Sequence, residues 1–478
     1  MIGWGAWRPD TGGPDSGVAQ TADGVLPQSA GQGIGYGPMN SPVTPSGAVS
    51  LGDDPRGGIT IQRQDGAWQD FFATSDKIRV LDSTYDWDDI ETGRSVTSGD
   101  DVSFALYGTK LLNADTTDGF KAYDYEAGGT NDAVGGGAPT AVRELCVCNN
   151  VVFALDCDGN NRRMESSALG NHANWTSEGA NGKTFEDGGA LFAMRDLRNG
   201  LGLIVQESAL RLVQFGTGPD ANSLYGITKV AEGLGGVSSR SVAAFNGKAW
   251  FVANGGGLYE YAAGGEPTPI GDQKVNNWLA GQVAAADLGT IQTSVDPGRK
   301  MTWFRLSASL MLGFHWTTRE FVTVSVSTSA LVRLATPAVV IDDISDLIDD
   351  LDVTIDSLDF QGGAPTFGAL GADLKISRFT GTPLAADLRS CLLTAGGSKR
   401  FLQATPISDN AASTLSIGVS DSLSKTLTFS TPAQRNEDGN VMLDDRGRYF
   451  VFREQHAAGA TWTFSNGVDG IVSVPESP

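Results

Sequence analysis

The chain has 478 residues, with 34 basic against 56 acidic side chains and a formal charge of −22, a balance that excludes broad phosphate-neutralising contact with DNA or RNA. No apolar run approaches the roughly 18 residues that cross a membrane, and the start MIGWGAWRPDTGG lacks the basic and apolar regions of a secretory signal. Sixty-two glycines and 19 prolines interrupt short apolar runs, the pattern of many strands joined by turns.

Residues 1–57 are rich in Gly, Pro and Ser and predict an extended N-terminal arm, with GQGIGYG at 31–37 as a flexible loop. From 58 the character changes to units of some forty residues, each holding several strand-like runs closed by a Gly or Asp turn. GITIQRQDGAWQDFFATSDKIRVLD, VSFALYGTKLLNADTTDGFKAYDYEAG and SSRSVAAFNGKAWFVANGGGLYEYAAGG are three of six such units. That spacing predicts a β-propeller over 58–335, four strands to a blade, with a double-sheet sandwich assembly as the alternative. One helix is expected in IGDQKVNNWLAGQVAAADLGTI, where Val275, Trp278, Leu279 and Val283 share a face.

Residues 336–362 form an acidic connector. Its stretch IDDISDLIDDLDVTIDSLD holds eight aspartates: Asp342, Asp343, Asp346, Asp349, Asp350, Asp352, Asp356 and Asp359. The spacing does not fit a calcium loop, which needs alternate ligands, a sixth-position glycine and a closing glutamate. Apolar residues Ile341, Ile344, Leu347, Ile348, Leu351, Ile355 and Leu358 recur three or four apart instead, an amphipathic pattern that docks one stripe and turns carboxylates away. A solvated linker and a surface that repels DNA both remain open. A C-terminal β domain, sandwich-like, is expected over 363–478, where KTLTFS and RYFVFRE alternate with the period of a half-buried strand.

The candidate chemical motifs are weak. Gly182-Lys183-Thr184 ends like a phosphate loop, but Ser177 stands where its first glycine should be and no helix follows. His172, His315 and His456 fall in different units without local partners, so no triad or zinc site is expected. QDGAW and TDGFKAY place Asp directly against Gly and read as hairpin turns rather than glycosidase Asp-boxes. Cys146, Cys148, Cys157 and Cys391 are expected as reduced, buried thiols. No catalytic, cofactor-binding or metal residue is assigned.

Several phrases, in one order, resemble the tail hub or nozzle proteins of short-tailed bacteriophages, also called packaged-DNA stabilisation proteins. They include RRMESSALGNHANWT, GLGLIVQESALRLVQFGTG, the long run from GGVSSRSVAAF to KVNNWL, VDPGRKMTWFRL, IDDLDVTIDSLD with GGAPTFGAL, RFTGTPLAADL, and GRYFVFREQHAAGATWTF. The likeness covers about residues 140–465 and is weakest over the first 130. It implies a non-enzymatic virion protein of the tail: a homohexameric ring below the portal and its adaptor, offering surfaces to tail fibres or a tail needle. The ring would continue the channel around double-stranded DNA, hold the packaged genome until ejection, and bind no particular sequence. Assembly in the host bacterial cytoplasm fits the reduced thiols. Acidic groups along such a bore would repel phosphates within a Debye length of about 8–10 Å. The rival readings are a propeller glycan hydrolase or lyase, which needs carboxylates with a tyrosine or arginine in a central pocket, and a glycan-binding tail adhesin, which needs aromatic residues on a groove.

Overall fold

The computed structural model describes residues 1–30, 33–218, 223–336 and 363–475. Strands form where short apolar runs meet turn residues. Asn149 and Asn150, at φ 49° and 59°, connect Val142–Cys148 to Val151–Cys157, and Asn246 and Gly247, at 48° and 79°, connect Val242–Phe245 to Lys248–Val252. Two successive left-handed residues give a turn whose twist matches its strands, and Asn and Gly adopt it at least cost. The turn expected in QDGAW is present, with the Asp65 carboxylate accepting the Ala67 N–H at 2.9 Å.

Repeated hairpins of this kind build six four-stranded antiparallel blades over residues 57–92, 103–133, 142–184, 191–232, 242–269 and 292–325. Their first strands, from Gly57–Gln62 to Gln292–Asp296, stand side by side in chain order, and Ala330–Thr336 of a three-stranded sheet fills the sector between the sixth and the first. The ring is thereby closed as a β-propeller. Second strands such as Val151–Cys157 and Leu201–Gln206 are buried along most of their length. Neighbouring blades cover both faces, so these segments are continuously apolar rather than alternating. All four cysteines are free and buried, as expected, and burial pushes the Cys146 thiol up to about 12.

The three-stranded sheet corrects the expected domain division. Gly363–Leu370 pairs along Ala330–Thr336 and is followed by Ile376–Arg378, so residues 363–378 belong to the ring. Thr336 is the cross-strand partner of Gly363. The stretch between them therefore joins two strands of one sheet, and the link from ring to C-terminal lobe runs between Arg378 and Ala386.

The lobe is an antiparallel assembly of Ala386–Arg389, Leu393–Ser408, Thr414–Ser420, Val441–His456 and Ser465–Pro475. Thr21–Asp23 makes its sheet continuous with the sixth blade, meeting Phe321–Ser325 in parallel and Ala386–Arg389 antiparallel. Ile2–Gly3 pairs with Ser465–Pro475, and Gly33–Pro38 and Val25–Ala30 extend the far edge. Gly33–Pro38 is thus a strand where a flexible loop was expected, because it folds back antiparallel on Val25–Ala30 and its Tyr36 also meets Ser465 of the lobe. Further on, Ala48 and Leu51 pack with Leu81, Trp87, Leu334 and Leu370, between the first blade and the three-stranded sheet. Apart from the 3-10 turn Pro9–Thr11, the described residues of 1–57 are largely extended, as expected, but they strap the lobe, the sixth blade and the first blade together.

The predicted helix is Asn276–Gln282, with Val275, Leu279 and Val283 buried beneath it. The Asp10 carboxylate accepts the N–H groups of Asn277 and Trp278 at 2.7 and 2.8 Å, placing a negative charge where the helix leaves amides unpaired. Trp7 meets Trp278 edge-on, with ring centroids 5.0 Å apart.

Candidate functional site

The inner strands enclose a cavity of about 570 Å³ along the propeller axis, with lining residues from all six blades and the three-stranded sheet. The charges on its wall run against the composition of the chain. Arg56, Arg195, Arg240, Arg305 and Arg333 line it, against the carboxylates Asp101, Glu144 and Asp196.

Two ion pairs brace this wall. Arg240 immediately precedes the fifth blade, and its guanidinium holds both carboxylate oxygens of Asp101, which precedes the second blade. Those blades stand three sectors apart, so the pair reaches across the axis. Asp101 in turn raises Arg240 above its ordinary pKa. Arg195 on the inner strand of the fourth blade pairs with Glu144 on the third. It also donates to the carbonyls of Val242 at 3.0 Å and Ser239 at 2.8 Å, so one side chain ties three successive blades. Burial pushes the Glu144 carboxyl up against the opposing pull of Arg195.

The other arginines are less engaged. Arg305 gives Nε and Nη2 to the Thr328 carbonyl, at 2.9 and 2.7 Å. Burial pulls its pKa down, and the neighbouring charge of Arg240 adds to that effect. The Nε of Arg56 is buried and has no hydrogen-bond partner. The charge of Arg56 acts on the Asp53 and Asp100 carboxylates, which hydrogen-bond Ser75 and Arg143 instead. Arg333 lines the cavity; its backbone carbonyl accepts from the Thr60 hydroxyl, and among the described residues its guanidinium feels the charge of Asp296 without a hydrogen bond to it.

A wall of this kind presents hydrogen-bond donors on fixed, permanently charged forks, the chemistry that holds carboxylates and phosphates. Of its three carboxylates, Asp101 and Glu144 are each bound to an arginine, and Asp196 accepts the backbone N–H of Arg198 at 3.0 Å.

Asp342, Asp343, Asp346, Asp349, Asp350, Asp352, Asp356 and Asp359 lie outside the described residues. Their flanks do not: Thr336 and Gly363 pin both ends of that segment to one point on the ring. The three histidines are not brought together. His172 packs on Tyr107, His315 bonds Thr318, and His456 is buried in the lobe and stacked on Trp462 at 4.0 Å. Gly182-Lys183-Thr184 lies on the exposed outermost strand of the third blade, Asn181–Thr184. Among the described residues no three His, Cys, Asp or Glu side chains form a metal-binding group. The channel arginines escaped sequence reading because they are spread from residue 56 to residue 333 and only ring closure gathers them. The usable signal was an Arg beside or within several inner strands, as in PRGG and SSRS.

No protein-family model matches the chain, and no curated protein matches it. Among solved structures, the WD40 repeats of RRP9 are similar at 9% identity, over 61% of this chain and 88% of that one, with a TM-score of 0.41. A streptogramin B lyase is similar at 14% identity, over the same shares of the two chains, with a TM-score of 0.38. U3-55K is similar at 9% identity, over 61% of this chain and 87% of that one, with a TM-score of 0.39. These are likenesses of fold alone.

Proposed function

We propose that the chain is a non-enzymatic structural subunit of a short-tailed phage tail, forming the nozzle ring below the portal and adaptor. The observation that carries this reading is the series of nozzle-like phrases, which keep their order from the third blade to the end of the lobe. Two physical features agree with it. The lobe and the sixth blade share one sheet and the N-terminal strap ties both to the first blade, which suits a stiff building block. The charge of −22 suits a wall that phosphates pass without sticking. In this reading the subunit binds copies of itself, the portal and adaptor, and a fibre or needle. The ring encloses double-stranded DNA, holds it until ejection, and sits in the virion tail after assembly in the host cytoplasm.

Mass photometry of the purified chain mixed with its portal and adaptor proteins is the test. A multi-subunit ring that joins the portal complex is the expected result. A chain that stays monomeric and forms no complex with them overturns the reading.

A further inference from the structure

We infer that the propeller channel is a binding site for a small organic anion carrying two or more negative charges, phosphorylated or polycarboxylic. The assignment is independent of the nozzle reading and concerns the axis of each propeller, not the bore of a ring.

The argument starts from charge. Five arginines face three carboxylates in a chain that is otherwise strongly acidic, and two of those carboxylates are consumed by Arg195 and Arg240. Arg56, Arg305 and Arg333 remain with donors to spare. An arginine cannot shed its proton to escape burial, so a desolvated guanidinium without a carboxylate is a standing cost that a bound anion removes. The orphaned Nε of Arg56, and the Arg305 guanidinium, half-buried and facing the like charge of Arg240 with Thr328 rather than a carboxylate as its hydrogen-bond partner, bear part of that cost on one wall.

Geometry then limits the ligand. A cavity of about 570 Å³ lies within the roughly 300–1,000 Å³ range of small-molecule sites, too large for a lone inorganic ion to fill. Leu145, Val147 and Leu331 offer apolar wall for a carbon skeleton, and Ser294 offers a hydroxyl. The Arg240–Asp101 brace crosses the axis and blocks a threading polymer. The site therefore fits a compact molecule and excludes a nucleic-acid strand.

Isothermal titration of the full chain, in buffer free of phosphate and carboxylate, uses inorganic pyrophosphate in one arm and citrate in the other. Single-site saturation is expected in at least one arm, and the arm that binds tells phosphate from carboxylate chemistry. Arg56→Gln and Arg333→Gln should each weaken binding by about tenfold or more, the loss of one charge-assisted contact. Arg333→Gln leaves the backbone bond to Thr60 in place, so it separates lost binding from lost folding. Arg162→Gln, on the rim of the third blade, should change nothing. Absence of saturable binding in both arms overturns the assignment. So does a loss below threefold in either channel variant, or an equal loss in Arg162→Gln.

Discussion

In the propeller ring almost every strand pairs with the strand next to it in sequence, whereas the lobe, built on strands of 386–475, also takes in strands from the opposite end of the chain. Val142–Cys148 needs only Asn149 and Asn150 to reach its partner, but Trp4 donates to Ser465, 461 positions away, at 2.8 Å. Local pairing closes small loops and forms early, while pairing between distant segments waits for most of the chain entropy to be surrendered. The ring can thus assemble blade by blade, and the lobe can be completed only when the first forty residues and the last hundred meet.

The most severe way to break this contrast is to delete residues 1–24. That removes the strand between Phe321–Ser325 and Ala386–Arg389 together with the partner of Ser465–Pro475. Scanning calorimetry should show the lobe transition lost and a ring transition retained. A single unchanged transition would mean that the strap holds nothing. Trp4→Ala is gentler: it empties a fully buried indole site and orphans the Ser465 contact, for about 3–5 kcal/mol in urea titration of the lobe.

Acid sharpens the comparison within the lobe. Burial pushes the Glu454 carboxyl up, but the imidazole of His456, 3.7 Å away, and the hydroxyl of Ser465 outweigh it and leave the pKa below its ordinary value. A depressed carboxyl stabilises the folded state above its unfolded pKa of about 4.3, and that stabilisation disappears as pH falls through the folded value. Between pH 6 and pH 3 the lobe should lose stability, and Glu454→Gln should flatten that slope. An equally steep slope in the variant would place the acid sensitivity elsewhere. The smallest effect is expected in the ring, where Asn246→Ala forces an alanine to φ 48° for about 1 kcal/mol, read from the denaturation midpoint.

The same contrast explains what the sequence reveals. Blades, the hairpin at Asp65-Gly66, the helix Asn276–Gln282 and the buried thiols follow from periodicity and turn chemistry, because the groups that decide them lie within a few residues. The strap does not. Nothing near Asp10 announces that it will receive the amides of Asn277 and Trp278, and nothing near Ile2 announces that it will pair with Val468. The channel arginines are hidden for the same reason: Arg240 and Asp101 are 139 residues apart and meet only across a closed ring. The break expected at 363 failed because alternation in GAPTFGAL marks a strand without naming its neighbour.

The pairing of Thr336 with Gly363 has a consequence for how this protein can vary. Once two ends are fixed beside each other, doubling the length of chain between them costs only about 0.6 kcal/mol. The ring should therefore tolerate substitution, lengthening or replacement of that stretch by a foreign module. It is a natural graft point, where charge and bulk can diverge rapidly while the blades on either side stay fixed.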